Sequence, residues 1–397
     1  MKVVVAPDSF KGSLDAEPAA RAIAAGWSSV RPHDDVRVIP QADGGEGTLE
    51  ALKAAIPHAE FQSAGLVSGP DGRPHEGIWL RLPDGIGVVE LAQSSGLPLM
   101  SAPDALGATT RGLGEVIAAA IAGGARSLVI CLGGSASTDG GAGALRALGV
   151  RLLDGSGRPI GEGGGQLRDL RAIDLSGLVP APLGGVVLLS DVTAPLLGPR
   201  GAAAIFGPQK GASADDVAQL EAGLERLHDV LHGDAERQGA GAAGGAAYGF
   251  ASVWSAETVP GARYVAEGSG LASAIGGADV VLTGEGRFDE TSMSGKVVGN
   301  ILSLASDPRI AVGIIAGQLA GDAATLASRR VWTWALAHAA PSLDAAQSEA
   351  GYWLEAAGAA AARDLLLFLR AARNTTSPSS TMDRPIIPDA GSTVPPV

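Results

Sequence analysis

Five short segments of the chain combine glycine with acidic, hydroxyl or basic side chains. They are Ala6-Pro7-Asp8-Ser9-Phe10-Lys11-Gly12-Ser13, Ala42-Asp43-Gly44-Gly45-Glu46-Gly47-Thr48, Gly133-Gly134-Ser135-Ala136-Ser137-Thr138-Asp139-Gly140-Gly141, Ser190-Asp191-Val192-Thr193 and Thr283-Gly284-Glu285-Gly286-Arg287-Phe288-Asp289. Glycine in such loops lets backbone N–H groups approach an anion closely, and a following helix N-terminus favours negative charge. Neighbouring carboxylates can hold a divalent cation or orient a hydroxyl, while lysines neutralise phosphate oxygens. This mixture suits phosphoryl transfer. No single motif narrows it further. Ser294-Gly295-Lys296 is close to the end of a Walker A loop, but Glu290 stands where that motif needs glycine. Gly112-Leu113-Gly114 lacks the third glycine of a dinucleotide fingerprint, because position 117 is Ile. A nucleophile elbow and a kinase-type catalytic loop are both absent.

Individual residues carry expectations of their own. Lys210, in Phe206-Gly207-Pro208-Gln209-Lys210-Gly211, is a lone cation between rigid residues and is expected to reach a phosphate from an open cleft. Lys11 and Lys296 are similar. Asp191 follows the apolar run Val186–Leu189, where a carboxylate is costly without a partner; a metal ion or a substrate hydroxyl is the expected one. Asp8, with Ser9 beside it, holds the equivalent place after the first strand. Glu285 and Asp289 either contact substrate or cap the next helix. Ser135, Ser137 and Thr138 either cradle a phosphate with Gly133 and Gly134 or cap a helix opening at 141. Arg287 has the fork geometry to clamp a carboxylate. In the loop of Asp43 and Glu46, one carboxylate could simply stabilise a helix N-terminus.

The elements that must position these groups alternate in type. Val3–Ala6 reads as a buried strand. A helix with Ala19, Ile23, Trp27 and Val30 on one face follows, opened by Asp15 and stopped by Pro32. Val36–Ile39 is a second strand and Glu46–Ala55 a second helix, so a parallel sheet is expected. Turns at Gly69-Pro70-Asp71-Gly72 and Pro83-Asp84-Gly85 flank short strands at Gly77–Leu82 and Gly87–Leu91, a meander that marks a second domain near residue 60. Alternation then resumes: helix 112–122, strand Ser127–Leu132, helix Gly141–Leu148, a hairpin around Asp154-Gly155, strand Val186–Leu189, and a helix opened by a capping box at Ser213–Asp216. From 265 the pattern is helix 265–275, strand Val280–Thr283, helix 297–305, strand Ile310–Ala316, helix 323–328, strand Val331–Ala335 and a long helix from Leu343. One α/β domain built from 1–60 and 265–373, with 61–264 inserted as a second α/β domain, accounts for this order; a tandem pair is the alternative. Residues 374–397, rich in Ser, Thr and Pro, read as a disordered tail.

Composition removes other classes. A net charge of −13 argues against a nucleic-acid partner, which needs a basic face. The single Cys131 excludes a disulfide framework and multi-cysteine metal sites, and the six histidines show no pair at ligand spacing. The longest apolar stretches are too short for a bilayer, and MKVVVAPDSF reads as a strand rather than a signal peptide. A cytoplasmic protein without membrane contact is expected.

The strings APDSFKGS, ADGGEGT, GGSASTDGGAGALRALG, SDVTAPLLGPRGAAAIFGPQKGAS and LTGEGRFDETSMSGK, in this order, resemble the successive signature segments of the bacterial glycerate kinase family over about residues 1–370. Phe10 replaces a usual Tyr, Ala194 a frequent Asn, and 239–251 is unusually Ala-rich. The resemblance implies two α/β domains, one of them Rossmann-like and assembled from both chain ends. It also implies an enzyme that phosphorylates D-glycerate from ATP with Mg²⁺, giving 2-phosphoglycerate, in the cleft between those domains. It casts Asp43, Asp191 and Lys210 as catalytic, with Asp191 on the metal. Lys11, Gly133, Gly134, Ser135, Ser137, Thr138 and Lys296 would hold ATP, and Asp8, Ser9, Glu285, Arg287 and Asp289 the glycerate. The partners are then small molecules alone, and the assembly a monomer or homodimer. Phosphorylation at the 3-hydroxyl and a nicotinamide-dependent hydroxy-acid oxidoreductase are the alternative readings.

Overall fold

The computed structural model describes residues 1–293, 296–320 and 331–374, with side chains to Leu365. The helix expected near 323–328, Ser294-Gly295 and the tail beyond Asn374 lie outside the described residues. The chain opens with strands β1 (Lys2–Val5) and β2 (Asp35–Val38). It then passes through β3 (Glu60–Ser68), β4 (Pro74–Arg81), β5 (Ile86–Glu90), β6 (Ser127–Cys131), β7 (Arg151–Leu153), β8 (Ala172–Asp174), β9 (Val186–Leu189) and β10 (Glu257–Val259). It returns with β11 (Val280–Phe288), β12 (Ala311–Leu319) and β13 (Val331–Ala335).

Two sheets divide these strands. One is wholly parallel, in the order β13-β12-β11-β1-β2, so both ends of the chain build a single Rossmann-like layer. The other runs β10-β9-β6-β5-β4-β3, parallel from β10 to β5 and antiparallel across β4 and β3. The fold is therefore two α/β domains, with the mixed one inserted into the parallel one. In the parallel sheet the chain leaves β1 toward β2 but later resumes at β11 on the opposite side of β1. That reversal between β1 and β11 is where an open parallel sheet leaves a crevice at its strand ends.

The period-3.6 face of helix Ala16–Val30 buries Ala19, Ala20, Ile23, Gly26 and Trp27 against the final helix, Ala350–Asn374. Trp27 is fully buried, and its indole N–H donates to Asp34 at 3.1 Å. The two helices touch through glycine. A Cβ on Gly26 would collide with the Glu355 carbonyl oxygen, and one on Gly358 with that of Ile23.

The turn at Asp154-Gly155 closes a hairpin as the sequence indicates, with the Asp154 N–H donating to the Arg158 carbonyl and Leu153 bridging Pro159, and β7 pairs in addition with the more distant β8. Three expectations change on inspection. Asp15 stands at the N-cap of Ala16–Val30, but its side chain makes no capping bond. The helix at 265–275 is two helices, Gly261–Gly268 and Leu271–Gly276, separated at Gly270, whose φ of 68° suits glycine. The long terminal helix is preceded by a separate turn, Leu343–Ser348, capped by Ser342, and it extends through Asn374, one residue into the expected tail. Helix Ala214–Leu231 opens with the capping box of Ser213 and Asp216, as the sequence indicates.

Adding a methyl group where the two long helices touch should be costly. Gly26→Ala is expected to lower stability by about 1–3 kcal/mol, the range for overpacking a filled core. Denaturant unfolding of the purified variant measures it; an unchanged midpoint would mean the helices can separate without cost.

Candidate active site

The carboxyl ends of both sheets meet at one cleft. The loop after β2 carries Asp43-Gly44-Gly45, and the Gly44 carbonyl accepts a hydrogen bond from the Gly133 N–H, just beyond β6, at 3.2 Å. A Cβ on Gly133 would strike Gly45, and one on Gly261, beyond β10, would strike the Asp43 carbonyl. Gly44 has a φ of 85°, and a side chain there would also press on Leu189 at the end of β9. Glycine at these positions therefore serves close approach between domains.

A cavity of about 390 Å³ lies at the β1/β11 crevice. Asp8, Ser9, Glu285, Arg287 and Asp289, the residues expected around glycerate, all line it, together with Lys11, Asp43 and Lys296. Asp8 is held where β1 ends, its N–H donating to the Gly284 carbonyl at 2.8 Å and its carboxylate accepting from the Ser9 N–H at 2.6 Å. Burial, reinforced by the Asp43 charge, pushes the Asp8 carboxyl up to about 8. Burial also raises Glu285, one of whose carboxylate oxygens is buried without a hydrogen-bond partner. Lys11 is pushed upward, first by Asp43 and then by Asp8, Glu46 and Glu285. Asp43 is thus the charge that its neighbours share, and its Oδ1 accepts from the Gly45 N–H at 3.1 Å. Arg287 is largely exposed and 3.7 Å from Asp289, whose carboxyl is held low by the Thr291 hydroxyl and N–H.

A second cavity, about 310 Å³, is lined by Gly133, Gly134 and Ser135, with Lys11 and Glu46 on the opposite domain. Lys11 borders both hollows. Lys296 belongs to the first cavity, beside the expected glycerate set and away from the glycine loop, and donates to the Thr291 hydroxyl at 3.2 Å. Asp191 borders neither. It lines a third hollow of about 520 Å³. Its Oδ1 accepts from the Gly261 N–H at 3.1 Å, while Oδ2 is buried without a partner, and burial with the Asp43 charge raises its carboxyl to about 6. An unpartnered hard oxygen suits a divalent cation. Among the described residues no three metal-ligating side chains converge, so an ion here would complete its shell with water and phosphate oxygens, as Mg²⁺ commonly does.

Three expectations are corrected. Lys210 does not project into an open cleft: it is 1% exposed, and its ammonium donates to the Ser135 hydroxyl at 2.9 Å and to the Ser137 carbonyl. Burial pushes it down to about 7, against the nearby Asp139 charge. It braces the glycine loop from behind, although it also touches the second cavity. Ser137 and Thr138 are fully buried, with hydroxyls that meet no partner, so neither lines these cavities nor caps a helix. The cap at helix Ala142–Ala147 comes from Asp139, which accepts from the Gly141 and Gly143 N–H groups at 3.1 Å and from the Thr110 N–H and hydroxyl.

Sequence reading missed Glu90. Buried at the end of β5, it accepts from the Gly47 and Leu49 N–H groups, each at 3.1 Å, and so pins the start of helix Thr48–Ala55 behind the Asp43 loop. Burial and Glu50 raise its carboxyl to about 8. A carboxylate closing an apolar strand was the available signal, the one that singles out Asp191.

Comparison with known proteins supplies the kinship. The model of the glycerate kinase family matches residues 3–366. A glycerate kinase of Bacillus subtilis is 43% identical over 332 residues, covering 81% of this chain and 86% of that protein. The glycerate 2-kinase of Escherichia coli is 42% identical over 331 residues, with 81% and 86% covered. A crystal structure assigned to glycerate kinase 2 of Salmonella typhimurium LT2 superposes with a TM-score of 0.76 at 34% identity, covering 93% of this chain and 99% of that one.

Two measurements follow from these environments. Lys210→Ala should empty a buried site and leave the Ser137 carbonyl unsatisfied, lowering stability by about 2–4 kcal/mol; wild-type unfolding would return Lys210 to an exposed role. For Asp8, the folded protein holds a proton between pH 3.8 and about 8 that the unfolded chain releases, so stability falls as pH rises through that window. Asp8→Asn removes this loss, and its melting temperature should gain on the wild type from pH 5 to 8, then level off.

Proposed function

The chain belongs to the glycerate kinase family, and on that premise we propose that it transfers the terminal phosphoryl group of ATP to the 2-hydroxyl of D-glycerate, with Mg²⁺, in the cleft between its two domains. The observation that carries this reading is the convergence of both sheets' carboxyl ends on Asp8, Lys11, Asp43 and Glu285, facing the amide-rich Gly133–Ser135 loop. Acceptor and donor phosphates then occupy adjoining hollows with Lys11 on the boundary.

In this reading glycerate lies in the cavity of Asp8 and Asp43. Arg287 and Lys296 attract its carboxylate, and Asp43 accepts or orients the proton of the attacking hydroxyl. The Gly133 and Gly134 backbone with Ser135 receives the donor phosphates, and Lys11 neutralises charge that develops on the group in transit. Asp191 would hold Mg²⁺, which supplies charge neutralisation to the phosphate chain. Lys210 acts at one remove, by fixing Ser135. The name glycerate 2-kinase of the Escherichia coli relative supports position 2 over position 3. No helix among the described residues is long and apolar enough to cross a membrane.

Product analysis tests the regiochemistry: phosphorus coupling in the carbon NMR spectrum should fall on C2, and coupling at C3 overturns that choice. A Mg²⁺ titration separates the carboxylates. Asp43→Asn should lose roughly 10²–10⁴-fold in turnover with no rescue, the usual worth of acid–base help. Asp191→Asn should recover part of its activity as Mg²⁺ rises. The opposite pattern exchanges the two roles.

A further inference from the structure

The third hollow, about 520 Å³, is larger than a three-carbon acid requires and has no part in the chemistry above beyond Asp191 at its edge. It adjoins the phosphate-side cavity, since Val192 and Phe206 line both. Its wall includes Ile205, half exposed on the short helix Ala202–Phe206. Arg200 adds an exposed planar cation to the lining, and Glu236 and Gln238 add hydrogen-bond acceptors. Most of these groups come from the run Ser190–Ser213, whose length the phosphate contacts leave unexplained.

We infer that this hollow is the subsite for the nucleoside of the phosphoryl donor. A heterocyclic base is flat, mostly apolar on its faces and polar at its rim. Ile205 and Phe206 offer a surface for one face, a guanidinium stacks readily on such rings, and the acceptors of Glu236 and Gln238 suit an exocyclic amine. From there the phosphate chain would pass Asp191 and Val192 toward Gly133–Ser135. This placement rests on the kinase reading above, since it assumes that the donor phosphates lie in the second cavity.

Ile205→Ser and Arg200→Ala test it in the full-length protein, both at exposed positions outside the machinery described. Each is expected to raise KM for ATP and the Kd for ADP by about tenfold, the worth of a partly buried aliphatic or stacked group, with KM for D-glycerate unchanged. Inhibition by inorganic tripolyphosphate, which has no nucleoside, should be the same in variants and wild type. A rise in KM for glycerate alone, or ADP binding within twofold of wild type in both variants, overturns the subsite. If the wild type binds ADP and the variants do not, yet glycerate is never phosphorylated, the kinase reading falls and the nucleoside subsite stands.

Discussion

Two sheets can aim their carboxyl ends at one point only if the loops there pack backbone against backbone. Gly44, Gly45, Gly133 and Gly261 allow this, and at three of them a β-carbon would overlap atoms of the opposing segment. The Gly133 N–H to Gly44 carbonyl bond adds a direct link between the layers. That contact brings Asp43 within electrostatic reach of Asp191 across the domains, while Asp8 and Lys11 on its own domain feel the same charge.

Around the contact lies a shell of buried polar groups with defined partners. Glu90 binds the helix start behind Asp43, Asp139 binds the helix start behind the glycine loop, and Lys210 ties that loop to itself. In a low-dielectric interior such groups are costly unless satisfied and strongly orienting when they are. They give flexible glycine segments a single conformation, which preorganised stabilisation of transferred charge requires.

Much of this was legible in the chain. Strand–loop–acid patterns located Asp8, Asp191 and Glu285 because an apolar run ending in a carboxylate has few structural explanations. The split of the parallel domain between the two chain ends followed from the return of helix–strand alternation after the meander. Depth was not legible. Lys210, Ser137 and Thr138 sit in polar, glycine-rich text that looks exposed, yet tertiary packing closes over all three. Periodicity also could not reveal that β7 would seek β8 across an intervening segment, since pairing partners depend on what the rest of the fold leaves open.

The carboxyls of Asp8 and Asp191, at about 8 and about 6, straddle neutrality inside the cleft. A cation arriving beside either one displaces its proton, so occupancy and protonation are linked quantities. The cleft therefore acts as a small proton store. The heat of ligand binding would vary with the ionisation enthalpy of the buffer, because the solution must absorb what the carboxyls give up, and the apparent affinity would carry a slope in pH even where the ligand itself does not titrate.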